Sequence, residues 1–146
     1  MANQSSIEYA GYSGTAPQKS PDSALQSGKV RCLQASFDLS LATQANGDIL
    51  TLGKIPAGAR VKAIKMTSSV TLGSSTVKIG ITGSDAKYRA AATFTTADVP
   101  TAVGPGAVAK AAAANTVGET LIATVGAAAL PSAGTLVFDI EYVTRN

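Results

Sequence analysis

From Lys29 onward apolar and polar residues alternate along the chain, which is the period of a strand with one face buried. Leu33, Ala35, Phe37, Leu39 and Leu41 share one face, Val77, Ile79 and Ile81 another, and Tyr88, Ala90, Ala92 and Phe94 form a third set. The final run is the most regular: Leu136, Phe138, Ile140 and Tyr142 alternate with Thr135, Val137, Asp139, Glu141 and Val143, so aromatic and aliphatic groups point inward and charges outward. The alternation breaks at Asn46-Gly47-Asp48, Pro56-Ala57-Gly58, Leu72-Gly73-Ser74-Ser75, Gly83-Ser84-Asp85 and Pro131-Ser132-Ala133-Gly134, each supplying the φ preferences of a turn. Seven strands result, near residues 29–41, 48–53, 59–68, 75–82, 86–95, 119–126 and 134–144. This spacing predicts an all-β domain, an antiparallel β-sandwich or a barrel, in place of βαβ units. An eighth strand, from the N-terminal segment or by splitting the first, would make it a jelly roll.

Two stretches lack the alternation. Residues 96–118 hold Pro100, Gly104-Pro105-Gly106 and the run Ala111 to Ala114, and read as one long loop with room for a short helix. Residues 1–28 are Ser, Gln, Gly, Ala and Pro with Ile7, Tyr9, Tyr12 and Leu25 as the only larger apolar side chains. Too little apolar area is present there to offset ordering entropy, so an extended N-terminal arm is expected, either disordered or laid on a partner or on the domain itself. Ile7, Tyr9 and Tyr12 would be its anchors, since aromatic side chains commonly dominate such contacts. The expected organisation is therefore an arm over 1–28 and a β-sandwich domain over 29–146.

Composition limits the core. A chain of 146 residues fits one domain, but 27 of its residues are Ala, and Leu, Ile, Val and Phe together number only 32. Burial is worth about 25 cal/mol per Å² of apolar area, so a core built from few large side chains makes association a natural source of extra stability. The formal charge of +3 is mild and decides little. Locally the balance differs: Lys54, Arg60, Lys62, Lys65, Lys78, Lys87 and Arg89 are set against Asp48 and Asp85 alone between residues 47 and 95, a net +5 (seven minus two). Solvated strand faces and edge protection by lysine explain such a run. A patch for an acidic protein partner explains it as well, whereas nucleic acid is not the expected partner.

The chemical inventory is sparse. There is no histidine and one cysteine, so neither a Ser-His triad nor an intrachain disulfide can form, and Cys/His sets for zinc are missing. Cys32 reads as a small, partly buried filler of a strand. Gly104, Gly106 and Ala109 match a relaxed dinucleotide fingerprint, but no βαβ unit surrounds them. Asp139 and Glu141, two apart on one solvated strand face, lack anything to desolvate either as an acid or base. No catalytic residue, cofactor or metal is expected, and the chain is not read as an enzyme. The N-terminus has no basic flank followed by an apolar run and no stretch approaches a membrane span, so neither signal-peptide secretion nor membrane insertion is expected.

The blocks Gly47 to Ala63 and Val77 to Phe94, the latter reading Val77-Lys78-Ile79-Gly80-Ile81-Thr82-Gly83-Ser84-Asp85-Ala86-Lys87-Tyr88-Arg89, resemble those of capsid cement (decoration) proteins of tailed bacteriophages. The resemblance covers residues 30–95 and, more loosely, the final strand. It implies a small jelly-roll sandwich, often a homodimer, made in the host cytoplasm and seated on the outer surface of the virion capsid, where it stabilises joints between major capsid subunits. Under it the arm residues Ile7, Tyr9 and Tyr12 and the basic strand residues Arg60, Lys62, Lys87 and Arg89 are the candidate partner-binding groups. The alternative reading is a tail or head-fibre accessory module that binds host-surface glycan, because a sandwich can also present loops for recognition.

Overall fold

The computed structural model describes residues 28–107 and 113–144. Among these residues are eight strands: β1 (Lys29–Asp38), β2 (Ile49–Ile55), β3 (Arg60–Ser68), β4 (Thr76–Ile81), β5 (Ser84–Thr93), β6 (Thr101–Gly104), β7 (Glu119–Gly126) and β8 (Thr135–Thr144). They form two antiparallel four-stranded sheets, ordered β1-β8-β3-β6 and β2-β7-β4-β5. The pairs β1·β8, β2·β7, β3·β6 and β4·β5 are nested, as in one long hairpin rolled over on itself. That is the strand arrangement the jelly-roll expectation requires.

Seven strands fall where the alternation places them; the eighth, β6, does not come from the arm or from a divided first strand. It lies inside the segment expected to be a loop, four residues between Pro100 and Pro105 that pair with Ile64, Lys65 and Met66 of β3. Four residues are too few to show a period, and flanking prolines read as loop punctuation. Of the alanine run, where a short helix is expected, Ala111 and Ala112 lie outside the described residues and Ala113 and Ala114 are not helical; residues 1–27, expected to form the arm, also lie outside. The first strand also stops early, at Asp38, so Leu39 turns into the core while Leu41 is 82% exposed.

The core lies between the sheets. Ile64, Met66, Leu136, Phe138 and Ile140 of the first sheet meet Leu50, Val77, Ile79, Leu121, Ala123 and Val125 of the second, all buried. Each large aliphatic or aromatic side chain among them is worth about 1.5–3 kcal/mol relative to exposure. Phe37 packs edge-on against Phe138 with ring centroids 6.2 Å apart. Leu39, Leu72 and Leu130 plug one end of the sandwich. There the loops tie one another down: Leu39 N–H donates to Gly134 O, Leu72 N–H to Phe94 O, Leu130 N–H to Gln44 O, and the Ser75 hydroxyl to Ala129 O at 2.5 Å. At the opposite end Asn115 braces the β2–β3 turn, its Nδ2 donating to Pro56 O and Val117 O while its backbone exchanges hydrogen bonds with Gly58 and Ala59.

Candidate functional site

The charged groups take their places from this topology. The loops 39–48, 69–75, 94–100 and 127–134 cluster at one end of the sandwich, and none contains a lysine or arginine. Asp38, Asp48 and Asp98 lie in or beside them. At the other end are the β2–β3 turn, the β4–β5 turn, the start of β1 and the close of β8, flanked by Lys29, Arg31, Lys54, Arg60 and Lys62. The domain is thus electrically polarised along its strands, acidic at one end and basic at the other. Gly28, the first described residue, is at the basic end, since Lys29 pairs with Thr144.

The excess of positive charge in residues 47–95 does not form one patch. Lys65 lies on the outer face of the first sheet with Glu141 at 3.8 Å, and Lys78 on the outer face of the second with Asp85 at 2.5 Å. Lys87 is bound to the carboxylate of Glu119. Of the four basic candidates, Arg60 and Lys62 are on β3 and Lys87 and Arg89 on β5, in different sheets. Arg60 is only 6% exposed, opposite the buried Val143, and is the one least open to a partner. Lys62 is half-buried, Arg89 is exposed, and the exposed Lys54 joins them as a third basic group without an ion pair among the described residues. Ile7, Tyr9 and Tyr12 lie outside the described residues.

Glu119 is a functional-looking carboxylate that sequence reading passed over. It opens β7 at 8% exposure, with Lys87 Nζ on Oε1 and the Tyr88 hydroxyl donating to Oε2 at 2.8 Å. Consecutive strand residues normally point to opposite faces. Here a bulge changes that: β4 advances two residues, Ile81 to Ile79, while β5 advances five, Ser84 to Arg89, so three extra residues are looped out around Lys87 and Tyr88. Burial, followed by the hydrogen bond to Glu119 and its negative charge, pushes the Tyr88 phenol well above its ordinary value. Both carboxylate oxygens are occupied and the phenol is held protonated, so the triad closes a sheet end and offers neither a free base nor a nucleophile. The single hint in the sequence was a lone acid heading an apolar run, Glu119-Thr120-Leu121-Ile122.

Two further surface features stand out. On the outer face of the second sheet, a groove of about 330 Å³ has Ile122 as its floor, with Ile49 and Thr51 on one side and Ser84 and Asp85 on the other. Gly80 makes it possible, because the chain at Ser84–Asp85 crosses directly over that residue; a Cβ there would meet Ser84 O at 2.1 Å. Cys32, expected to be partly buried, is exposed on the outer face of β1, because β1 is an edge strand and nothing described covers that face. No group of three or more potential metal ligands occurs among the described residues.

No protein-family model matches the chain, and no curated protein sequence matches it. Among solved structures, a chain of the capsid of Ralstonia phage GP4 superposes with a TM-score of 0.65 at 20% identity, covering 82% of this chain and 86% of that one. A chain of the cyanophage Pam1 capsid asymmetric unit superposes with a TM-score of 0.57 at 22% identity over the same shares, 82% and 86%. Identities this low establish a common fold: the all-β sandwich described above is one found in bacteriophage capsids. Because the two shares are nearly equal, the matched chains are about the size of this one.

Proposed function

We propose that the chain is a virion structural protein, specifically a cement protein that binds the outer surface of a bacteriophage capsid as a homodimer and stabilises joints between major capsid subunits. The observation that carries this reading is the fold likeness over 82% of the chain to a phage-capsid chain of similar length. The match to small chains favours an accessory shell component over the much larger shell-forming subunit. A closed ion-pair triad in place of an open site agrees with adhesion as the mechanism. The basic end is the surface assigned to the shell, through Lys54 and Lys62, with Arg89 in mid-strand on the β5 edge as a further contact, because these carry no ion pair among the described residues and the arm leaves the domain from the same end. Contacts repeated at every joint of an icosahedral shell make a few kcal/mol per site sufficient to resist internal pressure.

The test mixes the purified protein with expanded shells that lack it. Sedimentation gives saturating occupancy, and thermal or osmotic challenge gives shell stability. Stoichiometric binding with raised stability is expected; an absence of binding overturns the reading.

A further inference from the structure

Four strand edges border the two sheets, and three are blunted. β6 is four residues long between two prolines, β2 is bulged between Thr51 and Gly53, and β5 shifts register twice and carries Lys87 and Arg89. Short edges, bulges, prolines and lysines are the devices that stop a sheet from adding strands. β1 lacks them. All ten of its residues pair with β8 in unbroken register, and no strand among the described residues lies on its other edge. Between Arg31 and Asp38 it presents six uncharged residues, Cys32 to Phe37. Its inward side chains, Leu33, Ala35 and Phe37, are only half-buried although they pack on the core, so apolar surface is left open along this edge.

We propose that the β1 edge is the homodimer interface, pairing antiparallel with β1 of a second copy about a two-fold axis at Gln34, so that the two four-stranded sheets join as one of eight. The proposal rests on the homodimer reading above and assigns its surface. A second copy is the occupant that the strand's own sequence fits. Lys29 and Arg31 open β1 and Asp38 closes it, so antiparallel pairing sets the basic start of one strand beside the acidic end of the other. A two-fold perpendicular to the sheet keeps inward faces together, which requires paired residue numbers to have an even sum. An axis at Gln34 meets that condition, places Leu33 opposite the partner's Ala35, and overlaps the strands from Val30 to Asp38. The same axis sends the two basic ends, each with its arm, to opposite ends of the dimer, the arrangement needed to span a joint between two subunits.

Disulfide capture tests the register. In a Cys32→Ala background, Gln34→Cys lies on the axis and should cross-link to itself under mild oxidation, whereas Thr93→Cys on the β5 edge should remain reduced. Both sites are exposed, so the fold is retained. Sedimentation equilibrium of the full chain should show a dimer, and amide exchange along β1 should slow at least tenfold between dilute and concentrated samples. A dimer that captures Thr93→Cys in place of Gln34→Cys overturns the edge assignment and leaves the homodimer reading standing. A monomer with β1 amides protected at every dilution means that the chain's own arm covers the edge, which overturns the proposal. Shell binding, measured separately, decides the cement reading.

Discussion

Glu119 satisfies two neighbours on a single bulged strand, which makes it the residue on which one sheet end depends. Tyr88→Phe removes a hydrogen bond to a buried carboxylate and should cost about 1.5–3 kcal/mol in urea unfolding. Its pH signature has a definite sign. The folded phenol titrates above its ordinary value, so its contribution is fully present below about pH 10 and is lost as pH rises and the unfolded phenol ionises. Wild-type stability should therefore fall above about pH 10, and the fall should be shallower in the Phe variant. Asp38 runs the other way: hydrogen bonds from the Ser40 hydroxyl at 2.6 Å and backbone N–H at 2.9 Å hold its carboxyl below the usual value. Its contribution is present above the ordinary Asp value and lost as pH falls through the folded one, and Ser40→Ala should raise the Asp38 pKa in an NMR titration. The residues misplaced by sequence reading, Cys32 and Leu41, share a cause. Alternation tells which face a side chain is on, not whether that face is covered or where the strand stops.

The β4–β5 hairpin shows how one element depends on a missing atom. Gly80→Ala would drive a Cβ into the backbone of Ser84 and Asp85, which cannot move without displacing the turn, so a loss of about 1–3 kcal/mol and faster amide exchange in residues 82–86 are expected. Gly106→Ala, with open space around its Cβ position, serves as the control and should stay within about 0.5 kcal/mol of wild type in the same denaturation assay. Gly53 repeats the theme at the β2 bulge, where Leu33 of β1 occupies the room a Cβ would take. Long alternating strands such as β8 were legible because the period repeats over ten residues. β6 was not, because it is made a strand only by the β3 edge against which it lies. The Glu119 site was equally hidden: its three members are brought together by a bulge in β5, and a bulge is a property of strand pairing.

For the molecule as a whole, the division into an acidic and a basic end is the feature with most bearing on partners. Reversing Lys54, Lys62 and Arg89 to Glu leaves the core untouched. It should weaken shell binding about tenfold, equivalent to about 1.4 kcal/mol, at low ionic strength, and high salt should weaken wild-type binding in the same direction. Asp98→Asn at the acidic end, where φ is 56° and Asn is tolerated, should leave occupancy unchanged. Shell sedimentation across a salt series measures both.

The sequence by itself determined the all-β class, seven of the eight described strands and the lack of any histidine. These depend on local periodicity and on which residue types are present, both of which a chain carries without folding. Only the tertiary structure decided the eighth strand, the union of Glu119 with Lys87 and Tyr88, the burial of Arg60 and the place of β1 at the end of its sheet among the described residues. It also set Lys65, Lys78 and Lys87 of the basic run against Glu141, Asp85 and Glu119 and polarised the domain. Each of these depends on which strands become neighbours, and that is settled by long-range pairing between residues such as Arg31 and Tyr142, more than a hundred positions apart.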